Sequence, residues 1–366
     1  MLDVFTIITG AFLLIYLLQV NLWRKYWVKE KEFETEVFKE IRLSVIIPFK
    51  DEEMHLKALL NSLSGQVYRH WELILVNDHS TDSGLAIIED YVSHFPVPIK
   101  IIKASHEGKK MALLDGAHQA TFDTIITTDA DCTFHPQWLE TMAAYQCHTQ
   151  ADLIIGPVTI KNNKSALSRF QQIDFMALQL SGAAATLRQQ PIMCNGANLL
   201  CNKKLYLKAN LNNHIASGDD MFLLEWIKTQ DKKISYIKAK PAIVETQAIS
   251  KVRSFFMQRA RWAAKAHAYR DKQILLSGLL IGSLSLLMVC ALILSFWRLQ
   301  YLFLYGCCFL LKFMVDYTLL KAGKPFFKFR FSTLDILIAQ VLYPLYVLSV
   351  LLFPIFFKIK WKDRNI

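Results

Sequence analysis

The chain has 366 residues, a net charge of +11, 20% charged residues and 53% apolar ones, which is rich for a soluble globule and long enough for one large domain or two ordinary ones. The basic residues cluster beside apolar segments, which argues against a nucleic-acid partner and for anionic lipid. Seven cysteines include no C-x-x-C spacing, so neither a disulfide framework nor a zinc site is expected.

The elements can be taken in chain order. Val4 to Trp23 runs 20 residues without a charge, about the length that crosses a bilayer. Only Asp3 precedes it, and Arg24, Lys25 and Lys29 follow instead of a small-residue cleavage site. Residues 1–24 are therefore expected to be an anchor with its N-terminus outside and its basic flank in the cytosol. A charged linker, 25–41, leads into a domain expected over 42–250. There, apolar runs (Leu43 to Pro48, Leu73 to Asn77, Ile99 to Lys103, Thr124 to Thr128) alternate with stretches of helical spacing (54–63, 83–92, 109–120). That order predicts an α/β fold with a mostly parallel sheet, whose ligands sit beyond the carboxyl ends of its strands. Further on, Asp152 to Ile160 reads as one strand and Ala166 to Leu187 as a long helix. Met193 to Asn202 reads as a glycine-centred loop with a strand, and Ser217 as the N-cap of a helix carrying Asp219 and Asp220. Lys251 to Arg270 reads as a basic amphipathic helix at a membrane surface, with Phe255, Phe256 and Trp262 among headgroups. Gln273 to Trp297 and Ile336 to Phe357 are uncharged runs of 25 and 22 residues, while Leu299 to Leu320 is broken by Lys312 and Asp316. Residues 251–272 are thus assigned to an interfacial helix, 273–357 to about three membrane segments, and 358–366 to a basic tail.

Acidic residues follow three of the strands: Asp51 and Glu52 after the first, Asp78 after the second, Asp129 and Asp131 after the fourth. Two carboxylates flanking Ala130 repel each other, and either a hard cation such as Mg²⁺ or Mn²⁺ compensates them or both lie in a solvated turn. Asp78 is placed to bond a base or ribose, or to close an Asx turn in "NDHSTD". Gly108-Lys109-Lys110 opens a helix and suits a diphosphate. Asp219 and Asp220 suit a helix start on electrostatic grounds alone, and suit a general base equally well.

In this order the motifs resemble the family-2 glycosyltransferases, inverting membrane enzymes of the GT-A fold. The stretches that carry the resemblance are "SVIIPFKDEE" (44–53), "LVNDHSTD" (75–82), "GKKMALLDGA" (108–117), "TTDADC" (127–132), "SGDDMFLL" (217–224) and "QRARW" (258–262). The resemblance implies that Pro48, Asp51, Glu52 and Asp78 line a nucleotide pocket, that Lys109 approaches the diphosphate, and that Asp129 and Asp131 hold the nucleotide-sugar and a divalent cation. It implies that Asp220 is the catalytic base, beside Asp219, and that Gln258, Arg261 and Trp262 (Q-x-x-R-W) border acceptor and diphosphate. One departure is Gly218-Asp219-Asp220 where T-E-D is usual; the terminal Asp is kept.

The implied reaction moves a hexose from a nucleotide-diphosphate donor, expected to be UDP-linked, to a lipid acceptor. The alternative is a processive polysaccharide synthase extending a glycan, and a third reading is a non-catalytic subunit that keeps the fold. Few spans for a polymer conduit favour the lipid. The expected location is the inner (plasma) membrane, multi-pass, with a cytosolic catalytic domain. Three C-terminal spans would then place the basic tail outside, against the positive-inside tendency.

Overall fold

A computed structural model describes residues 3–161, 165–211, 218–357, 360–361 and 364–365. The expected cap Ser217 lies outside the described residues. The chain opens with α1 (Val4–Lys29) and then alternates: β1 (Leu43–Phe49), α2 (Glu53–Ser64), β2 (Trp71–Asn77), α3 (Gly84–Val92), β3 (Ile99–Lys103), α4 (Lys109–Gln119), β4 (Thr124–Thr127). Next come β5 (Thr133–Phe134), α5 (Trp138–Thr149), β6 (Leu153–Ile155), β7 (Val158–Ile160) and the long α6 (Ala166–Leu187). There follow β8 (Leu199–Asn202), α7 (Lys203–Lys208), α8 (Asp219–Thr229), β9 (Ile234–Tyr236) and β10 (Val244–Thr246). Four helices close the chain: α9 (Val252–Ala263), α10 (Lys272–Leu294), α11 (Leu299–Phe327) and α12 (Thr333–Phe356).

These elements form two compact units. One comprises residues 30–161 and 193–247; the other comprises 1–29, 162–192 and 248–366.

The first unit is α/β. Its seven-stranded sheet has the order β3-β2-β1-β4-β8-β6-β9. The first four strands are mutually parallel, and β8 runs antiparallel to both β4 and β6. Every residue of β1 is buried, as a continuous apolar run requires of a central parallel strand covered on both faces. The stretch expected as one strand over Asp152 to Ile160 is instead two, in different sheets. Pro157 has no N–H to give a ladder, and Gly156 turns against Asn198, whose side chain would lie 2.2 Å from any Cβ there. β7 then pairs with β10, and β10 with β5, in a small second sheet.

The second unit is helical. Among the described residues, α1, α10, α11 and residues 333–353 of α12 are each long and apolar enough to cross a membrane. Trp27 of α1 stacks on Phe327 (5.9 Å) and donates its indole N–H to the Ala322 carbonyl (3.2 Å). Inside this unit Lys312 and Asp316 pair at 2.5 Å along α11. Tyr16 donates to Asp316 (2.7 Å), and the Gln340 amide bridges both ions at 2.9 and 3.3 Å. An intramembrane charge is tolerated only when so neutralised and bonded.

The helical half of each β–α step must lie close to the sheet. In α4 the position that allows this is Gly116, where a Cβ would stand 2.4 Å from Ile46 Cγ2 and 3.1 Å from Val76 Cγ2. Both partners are β-branched, strand-bound and fully buried, so neither can give way. Gly116→Ala gains helix propensity but loses more to overpacking. The expected net cost is about 1–2 kcal/mol, read as a lowered melting temperature of the full chain.

Candidate active site

The loops that follow β1, β2 and β4 and the start of α8 carry the acidic residues in question. The first two loops are laced together. Asp51 has a left-handed backbone (φ 50°), which a short-branched Asp tolerates. Its Oδ1 accepts from the Thr81 N–H at 2.8 Å and from the Thr81 hydroxyl at 3.1 Å. The Glu53 N–H in turn donates to Asp82 (2.8 Å), and the Ser83 N–H to Glu53 (3.1 Å). Pro48 is buried within β1, opposite Val76.

Asp78 is almost fully buried, at 2% exposure. The local turn belongs to Asn77, whose side chain accepts from the Ser80 N–H at 2.8 Å. Asp78 itself reaches the Gly108 N–H (2.8 Å), so it joins the end of β2 to the start of α4. That bond corrects part of the expectation for Gly108-Lys109-Lys110, because the Gly108 N–H is already engaged. Gly108 has φ 118°, a conformation that suits glycine alone. Lys110 also departs from it. Its ammonium is buried, donates to the Leu211 carbonyl (2.6 Å) and lies over the Phe222 ring (5.0 Å).

Lys109 is the cation that faces the acids. Its ammonium forms an ion pair with Asp129 Oδ1. Burial works against its charge, yet Asp129, Asp219 and Asp220 together push its pKa upward. A raised lysine stabilises the fold fully below its unfolded pKa, so the contribution is complete at neutral pH and is lost only in strong alkali. Asp131 has the opposite problem. Burial, and then the neighbouring Asp129, push its carboxyl above the ordinary value, with Glu52 adding to the repulsion. The Thr246 hydroxyl, which donates to Asp131 Oδ2 at 2.8 Å, and Lys109 only partly offset this.

Asp219 and Asp220 form the first turn of α8, entered through Gly218 at φ 87°. Asp219 is buried and Asp220 half-buried. Asp220 Oδ2 accepts from the Gly196 N–H (3.1 Å), and the Gly196 carbonyl accepts from the Thr127 hydroxyl (3.1 Å). This relay ties the end of β4, which leads into Asp129 and Asp131, to the start of α8. A Cβ on Gly196 would stand 3.4 Å from Asp219 Oδ2 and 3.5 Å from Asp220 Cβ, ordinary contact distances, so this turn lies directly against both acids.

The structure therefore brings Lys109, Asp129, Asp131, Asp219 and Asp220 into one electrostatic group, with Glu52 acting on Asp131. Gln258, Arg261 and Trp262 belong to α9 of the helical unit, where all three are half-exposed. Two residues of the first group's surroundings escaped the sequence reading: Thr246 and Gly196. Neither lies in a motif, and only the "CNGAN" turn hinted at Gly196.

Residues 44–209 match the model of glycosyl transferase family 2. The chain carries a family-2 glycosyltransferase domain. It is 30% identical over 131 residues to the dodecaprenyl-phosphate galacturonate synthase of Rhizobium johnstonii, which covers 35% of this chain and 38% of that protein. It is 21% identical over 255 residues to the poly-beta-1,6-N-acetyl-D-glucosamine synthase of Staphylococcus epidermidis, covering 66% and 60%. The chain thus spans less than two thirds of either curated relative. The solved mannosyltransferase PcManGT of Pyrobaculum calidifontis, in complex with GDP-Man and Mn²⁺, has a TM-score of 0.59 at 15% identity and covers 96% of this chain and 97% of that one. That likeness shows the fold, which is GT-A.

If Lys109 is what makes the acidic group tolerable, replacing it should be costly only while the acids remain. Lys109→Met is expected to destabilise the glycosyltransferase domain by about 1–2 kcal/mol, as loss of a half-buried charged hydrogen bond does. Adding Asp129→Asn to it should recover at least half of that loss, as thermal melts of the two variants would show.

Proposed function

We propose that this glycosyltransferase is inverting and transfers a hexose from a nucleotide-diphosphate donor, UDP-linked, to a hydroxyl of a membrane lipid at the cytosolic face of the inner (plasma) membrane. The observation that carries the proposal is the group formed by Lys109 with Asp129, Asp131, Asp219 and Asp220, in which carboxylates outnumber ammonium among the described residues. Such an excess suits a site that receives a cation together with a diphosphate.

In the proposed reaction the acceptor oxygen attacks the anomeric carbon, and the bond from that carbon to the diphosphate breaks. Asp220 takes the hydroxyl proton; its Oδ2 accepts from the Gly196 N–H, which holds the carboxylate in place. Lys109 offsets charge that gathers on the departing diphosphate. Pro48, Asp51, Glu52 and Asp78 serve the nucleotide, with Asp78 nearest the base. Asp129 and Asp131 are hard oxygen donors whose mutual repulsion fits a divalent cation, Mg²⁺ or Mn²⁺, and they would hold it. Bound there, that ion supplies charge neutralisation for the leaving group. Asp219, Gln258, Arg261 and Trp262 are assigned to acceptor and diphosphate. Attack opposite the leaving group turns an α-linked donor into a β-linked product.

The lipid reading is supported by the four helices long enough to cross a membrane and by an apolar groove of about 500 Å³ in the helical unit. Phe170, Phe255, Phe256, Leu342, Leu345 and Tyr346 line that groove, whose volume is in the range of pockets that enclose apolar ligands. One observation favours a second reading, the extension of a glycan: the match to the poly-N-acetylglucosamine synthase runs over 66% of the chain.

Two variants separate the roles. Asp131→Asn should abolish the rise in melting temperature that MnCl₂ produces in the full chain. Asp220→Asn should keep that rise while turnover falls by ~10²–10⁴-fold, the usual worth of a general base. A full Mn²⁺ response in Asp131→Asn would remove the cation from this site, and undiminished turnover in Asp220→Asn would remove the base.

A further inference from the structure

The helix that bears Q-x-x-R-W is held by a buried ion pair that the motif does not include. Arg259, between Gln258 and Arg261, is 4% exposed and bonds Asp174 of α6 at 2.9 Å; Asp174 is 5% exposed. Only one guanidinium nitrogen makes that bond. Nε and Nη1 are buried without a hydrogen-bond partner among the described residues. The flat guanidinium lies instead over the rings of Trp262 (4.2 Å), Phe255 (5.0 Å) and Phe175 (5.8 Å). Asp174 takes a second bond from the Tyr346 hydroxyl (3.3 Å), whose ring stacks on Phe255 (5.7 Å). The expectation for Phe255 among headgroups is thus corrected: Phe255 and Arg259 are buried, while Phe256 and Trp262 are half-exposed.

This arrangement is expensive as a way to hold two helices together. Two buried charges with incomplete hydrogen bonding usually stabilise less than apolar side chains of the same volume. An apolar face, however, tolerates small rotations and slides, whereas a buried charged hydrogen bond weakens as its donor and acceptor move apart or out of line. One face of α6 is given over to this task. Gln171, one turn before Asp174, donates to the Ile249 carbonyl (2.8 Å) and accepts from the Ile249 N–H (3.1 Å). The side chains of Gln171, Asp174 and Phe175 fall at i, i+3 and i+4 and meet first the entry to α9 and then its second turn. Arg259 and Trp262 are likewise three apart on α9, so the stack sets the plane of the Trp262 ring directly.

We propose that Asp174 and Arg259 are positioning residues: the buried pair and its stack on Trp262 fix the rotation of α9 about its axis and so the presentation of Gln258, Arg261 and Trp262. The proposal rests on the reading of those three residues as acceptor and diphosphate residues. Neither Asp174 nor Arg259 touches substrate in it; both act through the motif.

The test uses the full chain in nanodiscs with total cell lipid, reading UDP released from UDP-glucose and the melting temperature. The double variant Asp174→Leu/Arg259→Met removes both charges at once, so neither is left unpaired, and gives up only the long bond from the half-buried Tyr346 hydroxyl. A melting temperature within ~2 °C of wild type, with kcat reduced at least ~10-fold and donor KM within ~2-fold, is the expected result. A wild-type kcat at that stability would make the pair mere packing and overturn the proposal. Should the double variant fail to fold, Arg259→Lys decides, since it keeps the charge beside Asp174 and loses the flat stack. It is expected to lose part of kcat, and full kcat would overturn the proposal as well. Arg261→Ala separates the premise from the inference. If that variant turns over normally, the role of the motif fails, whatever the pair does.

Discussion

The glycosyltransferase unit is organised around the Lys109 ammonium among carboxylates. Lys109 starts α4, Asp129 and Asp131 follow β4, and Asp219 and Asp220 start α8, so three separate elements converge on one electrostatic group. Remove the cation and the ends of these elements repel. The supports reach further back. Gly116 lets α4 lie against Ile46 and Val76, Asp78 pins Gly108, and Gly196 links the last residue of β4 to Asp220. Each is a packing or backbone feature whose consequence appears several residues away, at a charged atom.

The helical unit solves a related problem by a different route. Two of its ion pairs, Lys312 with Asp316 and Arg259 with Asp174, are each bonded further by a tyrosine hydroxyl. In the first, the Gln340 amide completes the set and little is left unsatisfied. In the second, aromatic faces stand in for hydrogen-bond acceptors. Where the acceptors are complete the pair acts as a lock between helices; where rings replace them, it also orients a ring. The difference lies in the partners rather than in the charges.

Much of this was legible in the residues. Continuous apolar runs such as Leu43 to Pro48 read as buried parallel strands because they are short, rich in β-branched residues and alternate with stretches of helical spacing. The long helix over Ala166 to Leu187 was legible with the bounds it has, while its Ser165 cap was not. The acidic motifs stood where strands end, and their order carried the family. Other features could not be read. A proline and a glycine inside "DLIIGPVTI" were absorbed into one strand, though they mark the point where the chain changes sheets. Thr246 and Asp131, and Asp174 and Arg259, are partners only in three dimensions. A charged residue on an amphipathic helix looks like surface until the opposing helix supplies its counter-charge. No local pattern distinguishes Arg259, which is buried, from Arg261, which is half-exposed.

The claim at the centre is that the carboxylate at the start of α8 drives transfer of a sugar to a membrane lipid. The most direct measurement compares total lipid extracts, by mass spectrometry, from cells expressing the wild type and Asp220→Asn at equal levels. A lipid that gains one hexose with the wild type and not with the variant is the predicted result. The same glycolipid in both extracts would contradict the assigned base. A sugar polymer in the aqueous fraction of the wild type, with no lipid changed, would contradict the assigned acceptor.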